Sequence, residues 1–157
     1  SESMRIASNG AVTINGSLSK GSGSFKINHP LESKKDSHNL YHSFVEAPKA
    51  DNIYRGIVSL KNGVAKINLD EESNMTDGTF VALNREVQCY TSNETDYDAV
   101  KGFVTGNILN IESENLESEA SISWLVIGER QDQEIYNSTL TDENGKLIVE
   151  KLKSEEE

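Results

Sequence analysis

A chain of 157 residues is long enough for one domain with its own core and too short for two large domains. Hydrophobic residues make up 35% and aromatic residues 6% of the chain, a low share that predicts apolar surface buried between copies of an oligomer. The 26 acidic side chains outnumber the 15 basic ones, and the net charge of −11 would repel nucleic-acid backbones and anionic membranes. Because no apolar run approaches the roughly 18 residues of a membrane helix, we expect neither a nucleic-acid partner nor membrane insertion.

Apolar residues return at every second position along most of the chain, beginning with Phe25 and Ile27 in SFKIN. The same period recurs in GVAKINL and in SISWLVIG, and it predicts β-strands. Turn-forming dipeptides separate the runs: Asn9-Gly10, Asn15-Gly16, Asn62-Gly63, Asp77-Gly78, Gly106-Asn107 and Asn144-Gly145. We therefore predict an all-β fold with a β-sandwich-like central domain and no helix.

Three zones differ in composition. Residues 1–23 are rich in serine, asparagine and glycine, and their two short runs, MRIAS and AVTIN, predict shaft-like strands that need neighbours to bury their apolar side chains. Residues 24–130 hold Trp124 and all four phenylalanines and form the predicted central β domain. Residues 131–157 are polar and predict an acidic C-terminal arm.

The single cysteine, Cys89, excludes a disulfide framework within the chain and fits assembly in the cytoplasm. Its strand-like surroundings, EVQCYT, favour a buried, inert thiol over a reactive one. Trp124 lies in the most apolar run, so core packing is favoured over a role in stacking on a sugar.

Metal sites have little support in the spacing of candidate ligands. His38 and His42 are four residues apart, which in a strand separates them by about 13 Å, too far to share one ion. The acidic groups around Asp70 with Asp77, and around Asp96 with Asp98, do not match a calcium-binding EF-hand loop. We predict no metal and no cofactor.

Catalysis has no recognisable motif either. A serine nucleophile within G-x-S-x-G is absent from the sequence, and carboxylate pairs are abundant because the whole surface is acidic. We predict a non-enzymatic protein in which exposed loops at one end of the sandwich contact a partner. The candidate contact residues are Asn93, Asp96, Tyr97, Asp98 and Asp77.

Several blocks of the sequence resemble bacteriophage tail-fibre proteins. The opening SMRIASNGAVTINGSLSKGSG resembles a stretch common in their shafts, where short strands of three chains wind together. The blocks GSFKINHPLESKKDSHNLYHSFVEAPKADNIYRGIVSL, MTDGTFVALNREVQCYTSNETDYDAVKGFVTGNILNIE and SISWLVIGERQDQ resemble a module found near the ends of predicted fibre proteins of marine phages, cyanophages included. The likeness covers about residues 4–133.

The resemblance implies a virion tail-fibre protein that is assembled in the host cytoplasm as a homotrimer. Its partners would be further copies of itself, other tail proteins, and a glycan or protein of the bacterial surface. One alternative is a purely structural or capsid-decorating virion protein without receptor contact. The contrasting alternative, a polysaccharide depolymerase, would need two carboxylates in a cleft, and such enzymes usually show a repeat of 20–50 residues that is not evident here.

Overall fold

The computed structural model describes residues 3–16 and 18–153, and over these residues strands far outnumber helices. The strands are β1 (Met4–Ile6), β2 (Val12–Ile14), β3 (Ser24–Asn28), β4 (Asn39–Ser43), β5 (Asp51–Ser59), β6 (Val64–Asn68), β7 (Asn84–Asn93), β8 (Val100–Thr105), β9 (Ile108–Ser113) and β10 (Ser121–Arg130). The helices are α1 (Leu69–Glu72), α2 (Thr79–Leu83) and α3 (Gln133–Tyr136). The all-β prediction is confirmed. None of the described helices has the length and apolar character needed to cross a membrane.

Two small antiparallel hairpins precede the central domain. Strands β1 and β2 pair from Met4↔Ile14 to Ile6↔Val12, and β3 and β4 pair from Ser24↔Ser43 to Asn28↔Asn39. All residues of β1, β2 and β3 are exposed. A two-stranded hairpin is at best marginally stable alone in water, so these hairpins carry apolar side chains that the chain itself leaves uncovered.

The central domain consists of two three-stranded antiparallel sheets. The front sheet has the strand order β5-β10-β7, and the back sheet has the order β6-β9-β8. Alternate residues of both sheets point inward, as their period-two sequences require. They form one core, whose buried members are Leu60, Ile67, Leu69, Phe80, Leu109, Ile111, Ala120, Ile122, Trp124 and Val126.

Asp70 organises the link between the two sheets although it is a fully buried carboxylate. Its oxygens accept hydrogen bonds from the backbone amides of Gly78 (2.8 Å) and Phe80 (2.6 Å) and from the side chain of Asn107 (2.9 Å). These bonds fix the start of α2, whose Phe80 ring packs edge-on against Tyr54 of the front sheet at 5.0 Å.

The prediction of no helix is wrong for three one-turn segments. The helices α1 and α3 begin after Asn68 and Asp132, and the side-chain oxygens of these two residues accept hydrogen bonds from backbone amides of the first turn. Four or five residues are too few to show a helical period in the sequence.

The C-terminal segment lies against the central domain over its described part. Ile135 of α3 is buried, and Thr141 and Leu147 form an antiparallel bridge around the Asn144-Gly145 turn. Arg85 of β7 donates hydrogen bonds to the carbonyl oxygens of Asn144 (2.6 Å) and Gly145 (2.9 Å).

The six predicted turn dipeptides are confirmed, because each places its glycine at positive φ: Gly10, Gly16, Gly63, Gly78, Gly106 and Gly145. At the β5–β6 connection Asn62 (φ 51°) and Gly63 (φ 76°) both adopt this region. Two successive residues at positive φ form the tight turn that matches the twist of a hairpin.

Gly56 supplies the space for the Trp124 ring in the core. The two residues are directly paired between β5 and β10, and a Cβ atom built on Gly56 would lie 2.5 Å from Trp124 Cζ2. We expect Gly56→Ala to lower the free energy of unfolding by about 1–3 kcal/mol, because the buried ring has nowhere to move. Urea unfolding followed by Trp124 fluorescence measures this.

The matched control is Gly21→Ala. A Cβ atom at Gly21 meets nothing within 4 Å, so its stability should stay within about 0.5 kcal/mol of the parent. Equal free energies of unfolding for both variants would show that packing of the Trp124 ring does not require a glycine at position 56.

Candidate functional site

The β7–β8 loop brings together four of the five predicted contact residues. Asn93 accepts hydrogen bonds from the amides of Thr95 (3.0 Å) and Asp96 (3.1 Å), and its own amide group donates to Asp96 Oδ1 (2.6 Å). Asp98 Oδ2 accepts from Asn115 Nδ2 at 2.8 Å, which ties the loop to the segment after β9. Tyr97, at the tip, is fully exposed. The loop is thus held in one shape while its aromatic side chain projects into solvent.

Asp77 lies at the other end of the back sheet, so the expectation of a single end is wrong. The register places Asn68, which precedes α1, opposite Ile108, and Asp77 accepts a hydrogen bond from Asn107 at 2.8 Å. The β7–β8 loop instead adjoins the opposite end of β9, where Val100 pairs with Ser113. Asp77 and Tyr97 therefore cannot contact one small ligand together.

Of the acidic residues near Asp77, Asp70 serves the fold. Burial by itself raises the pKa of the Asp70 carboxyl, but hydrogen bonds from Asn107, Phe80 and Gly78 outweigh burial and hold the pKa below its ordinary value. Asp70 is therefore a structural carboxylate that stays ionised.

An uncovered apolar surface of the central domain is the outward side of the front sheet, called here the front face. It comprises Ile53, Ile57, Tyr90, Leu125 and Ile127, which point away from the core. Ile53 and Ile57 are 56% and 72% exposed, and Tyr90 is 54% exposed. Arg55 lies between Ile53 and Ile57 on the same side of β5, and several exposed apolar residues on one sheet face are typical of interaction surfaces.

The outward side of the back sheet is different in character. Lys101 pairs with Glu112 at 3.7 Å, and its ammonium group also lies 5.1 Å from the centre of the Phe103 ring. Lys66 and Asn110 are neighbours on the same side. This side is charged and suits contact with water, so the two outer surfaces of the sandwich are not equivalent.

A shallow depression of about 600 Å³ lies within the front face. Ser92 and Ser123 are directly paired and form its low centre, while Arg55, Tyr90 and Leu125 stand beside it. The inward period of β10 alone does not predict this surface. The sequence nevertheless contains a signal for it. All four residues of the run WLVI are apolar, so both sides of this strand are apolar, which is typical of a strand covered on both faces.

Glu129 is the centre of an ion cluster at the end of β10. Its carboxylate is 3% exposed and lies 2.7 Å from Lys146 Nζ, 3.2 Å from Arg85 Nη2 and 3.4 Å from Lys49 Nζ. Glu86 accepts from the same two lysines, at 2.6 Å from Lys146 and 2.8 Å from Lys49. The cluster joins the C-terminal segment to the front sheet.

The cluster shifts the pKa values of both carboxylates downward. Hydrogen bonds from Lys146 and Lys49 lower the pKa of Glu86 to about 2. Burial raises the pKa of Glu129, but hydrogen bonds from Lys146, Arg85 and Lys49 outweigh burial and leave it below the ordinary value. Glu86 also adopts a positive φ of 49° at the bulge in β7, an uncommon conformation for this residue type.

Neither the histidines nor the cysteine form a reactive centre with their observed neighbours. His42 packs edge-on against Phe25 at 5.0 Å, and His38 precedes β4 with its Nδ1 2.7 Å from Ser37 Oγ. Cys89 is half-buried on the inward side of β7, and this burial raises the pKa of its thiol. Within residues 3–16 and 18–153, no three His, Cys, Asp or Glu side chains are grouped to hold a metal ion.

No protein-family model matches this chain, and no curated protein matches it in sequence. The resemblance to tail-fibre modules therefore stays a prediction.

Acid should weaken the fold through the Glu129 cluster. Because the folded-state pKa values of Glu86 and Glu129 are lowered, their ionised forms stabilise the fold above the unfolded pKa of about 4.5. That contribution is lost as the pH falls through the folded-state pKa values. The folded-state pKa of Glu86 is about 2. We expect the free energy of unfolding to fall over this range. At pH 7, Glu129→Gln should cost about 2–4 kcal/mol, because it leaves the clustered cations without their buried partner.

The control is Glu112→Gln, which removes an exposed pair with Lys101 and should cost less than about 1 kcal/mol. Urea unfolding at several pH values measures both variants. A Glu129→Gln protein with the stability of the parent and the same pH slope would contradict a structural role for the cluster.

Proposed function

We propose that this chain is a non-enzymatic module of a bacteriophage tail fibre, assembled as a homotrimer and contributing to host adsorption. Its place would be the virion, with other tail proteins and a bacterial surface glycan or protein as partners. The observation that carries the proposal is the amount of apolar surface left uncovered on the N-terminal hairpins and on the front face.

The N-terminal hairpins show why a single copy is insufficient. Met4, Ile6 and Val12 are all more than half exposed on strands of only three residues. Strands this short cannot form a core between themselves, whereas several copies winding together would share one. This arrangement is the one that the resemblance to fibre shafts implies.

A passive role agrees with the positions of the buried carboxylates. Asp70 is occupied by two backbone amides and Asn107, and Glu129 by three cations. A glycoside hydrolase needs two carboxyl groups that face each other across a cleft with one free to donate a proton. These two carboxylates instead hold loops and the C-terminal segment in place.

Receptor contact is assigned to the β7–β8 loop. An exposed aromatic ring on a preorganised loop loses little conformational entropy on binding and offers a flat apolar surface to a sugar ring or a protein. Tyr97 has this arrangement, since Asn93 and Asp98 fix the loop on both sides of it. Asp77, at the opposite end of the back sheet, does not share it.

The homotrimer predicts a solution mass of three times 17.3 kDa by light scattering, constant on dilution. The uncovered apolar surface would otherwise promote concentration-dependent aggregation. A stable mass of 17.3 kDa would contradict the oligomer and with it the shared-shaft explanation of the hairpins.

The role of the loop can be tested by binding of labelled full-length protein to a panel of bacterial strains. For any strain that binds, Tyr97→Ala should weaken binding about tenfold or more, since the loss of an aromatic hot-spot contact costs about 1.4 kcal/mol or more. Asp77→Ala, in the loop at the opposite end, is the matched control and should bind like the parent. Equal binding by both variants would overturn the assignment, and a parent that binds no strain would favour the purely structural virion role.

A further inference from the structure

We propose that the front face of each copy is covered by the β3–β4 hairpin of a neighbouring copy, an inference that rests on the oligomer of the proposed function. Each interface would be heterologous, formed by the β3–β4 hairpin of one chain and the front face of the next. Such a contact closes into a ring when the rotation between copies permits it.

The hairpin has an apolar side suited to this role. The register pairs Phe25 with His42 and Ile27 with Leu40, so these four side chains share one side of the two strands. Phe25 and Ile27 are 40% and 46% exposed, whereas Lys26 and Tyr41 lie together on the other side. The hairpin is therefore amphipathic, with its apolar side uncovered.

The dimensions of the two surfaces agree. Each strand of the hairpin has five residues, and the front face extends from Ile53 to Ile57, which is also five residues of β5. Five residues of extended chain measure about 17 Å. The hairpin of the same copy does not cover the face, because Phe25, Ile27, Ile53 and Ile57 are all exposed in one structure.

Charge favours a hairpin from another copy over contact between two front faces. The hairpin segment, residues 24–43, carries three basic and two acidic side chains, a net charge of +1, whereas residues 46–130, which include the central domain, carry seven basic and 15 acidic side chains, a net charge of −8. Two central domains placed face to face would repel each other. A cationic hairpin lying on an acidic domain is attracted to it, which gives the same apolar burial without that repulsion.

The edge of the front sheet adds a second reason. Within the described residues, strand β5 is paired only with β10, so its other edge is open along nine residues. A long edge strand without proline is a site where another chain can add.

Two variants test the inference by complementation in the full-length chain. Ile57→Glu places a charge on the front face, and Ile27→Glu places one on the apolar side of the hairpin. Each variant alone should have the monomer mass of 17.3 kDa, because the three-residue strands β1 and β2 are too short to hold copies together without the front-face contact. An equal mixture should give a species of twice that mass, because the intact hairpin of the first variant can bind the intact face of the second and no further contact can form.

The control is Val64→Glu, which alters an exposed apolar residue on the outward side of the back sheet and should keep the oligomeric mass of the parent. Trp124 fluorescence verifies that each central domain is folded. The mixture stays informative if Ile27→Glu unfolds its own hairpin, because that chain contributes only its face.

The outcomes separate the two proposals. An oligomeric parent whose Ile27→Glu variant stays oligomeric, or whose two variants fail to combine on mixing, would overturn the hairpin contact and leave the oligomer intact. A monomeric parent would overturn the oligomer itself. A dimer formed by the mixture alone, from two monomeric variants, is the result that only an exchanged hairpin predicts.

Discussion

The packing of β10 between two neighbours is the constraint on which the rest of the structure depends. Its inward residues Ile122, Trp124 and Val126 supply the centre of the core, and the Trp124 ring fits only because β5 has a glycine opposite it. The same strand ends in Glu129, which gathers three cations and holds the C-terminal segment. Its outward residues form the middle of the front face. The core, the C-terminal attachment and the uncovered apolar front face are therefore three consequences of one ten-residue strand.

The features that the sequence predicts correctly are the local ones. A turn such as Asn62-Gly63 depends on two residues and their own φ values, so the dipeptide is sufficient to identify it. Strands such as β6 and β9 show their period directly because one side faces the core and the other faces water. The one-turn helices escape prediction because a cap such as Asn68 acts on so few residues that no period develops.

The features that the sequence does not reveal depend on residues far apart in the chain. The Glu129 cluster joins positions 49, 85, 86 and 146. Their spacing along the sequence does not predict that these residues meet in the fold. The separation of Asp77 from Tyr97 follows from the register of the back sheet, which the order of strands in the sequence does not determine. The front face is an intermediate case, since the apolar run in β10 indicates cover on both sides but not what provides it.

The distribution of charge bears on the proposed way in which copies of an acidic protein would associate. At a net charge of −8 for residues 46–130, the central domains of two copies repel each other at any distance within the screening length of the solution. Association through apolar surface alone would have to overcome this repulsion. Each further copy in the oligomer would add to the repulsion. Copies joined through a hairpin of net charge +1 would avoid this repulsion, because each contact would then pair the hairpin with an acidic domain. The charge distribution therefore favours the proposed contact through the hairpins over direct contact between domains.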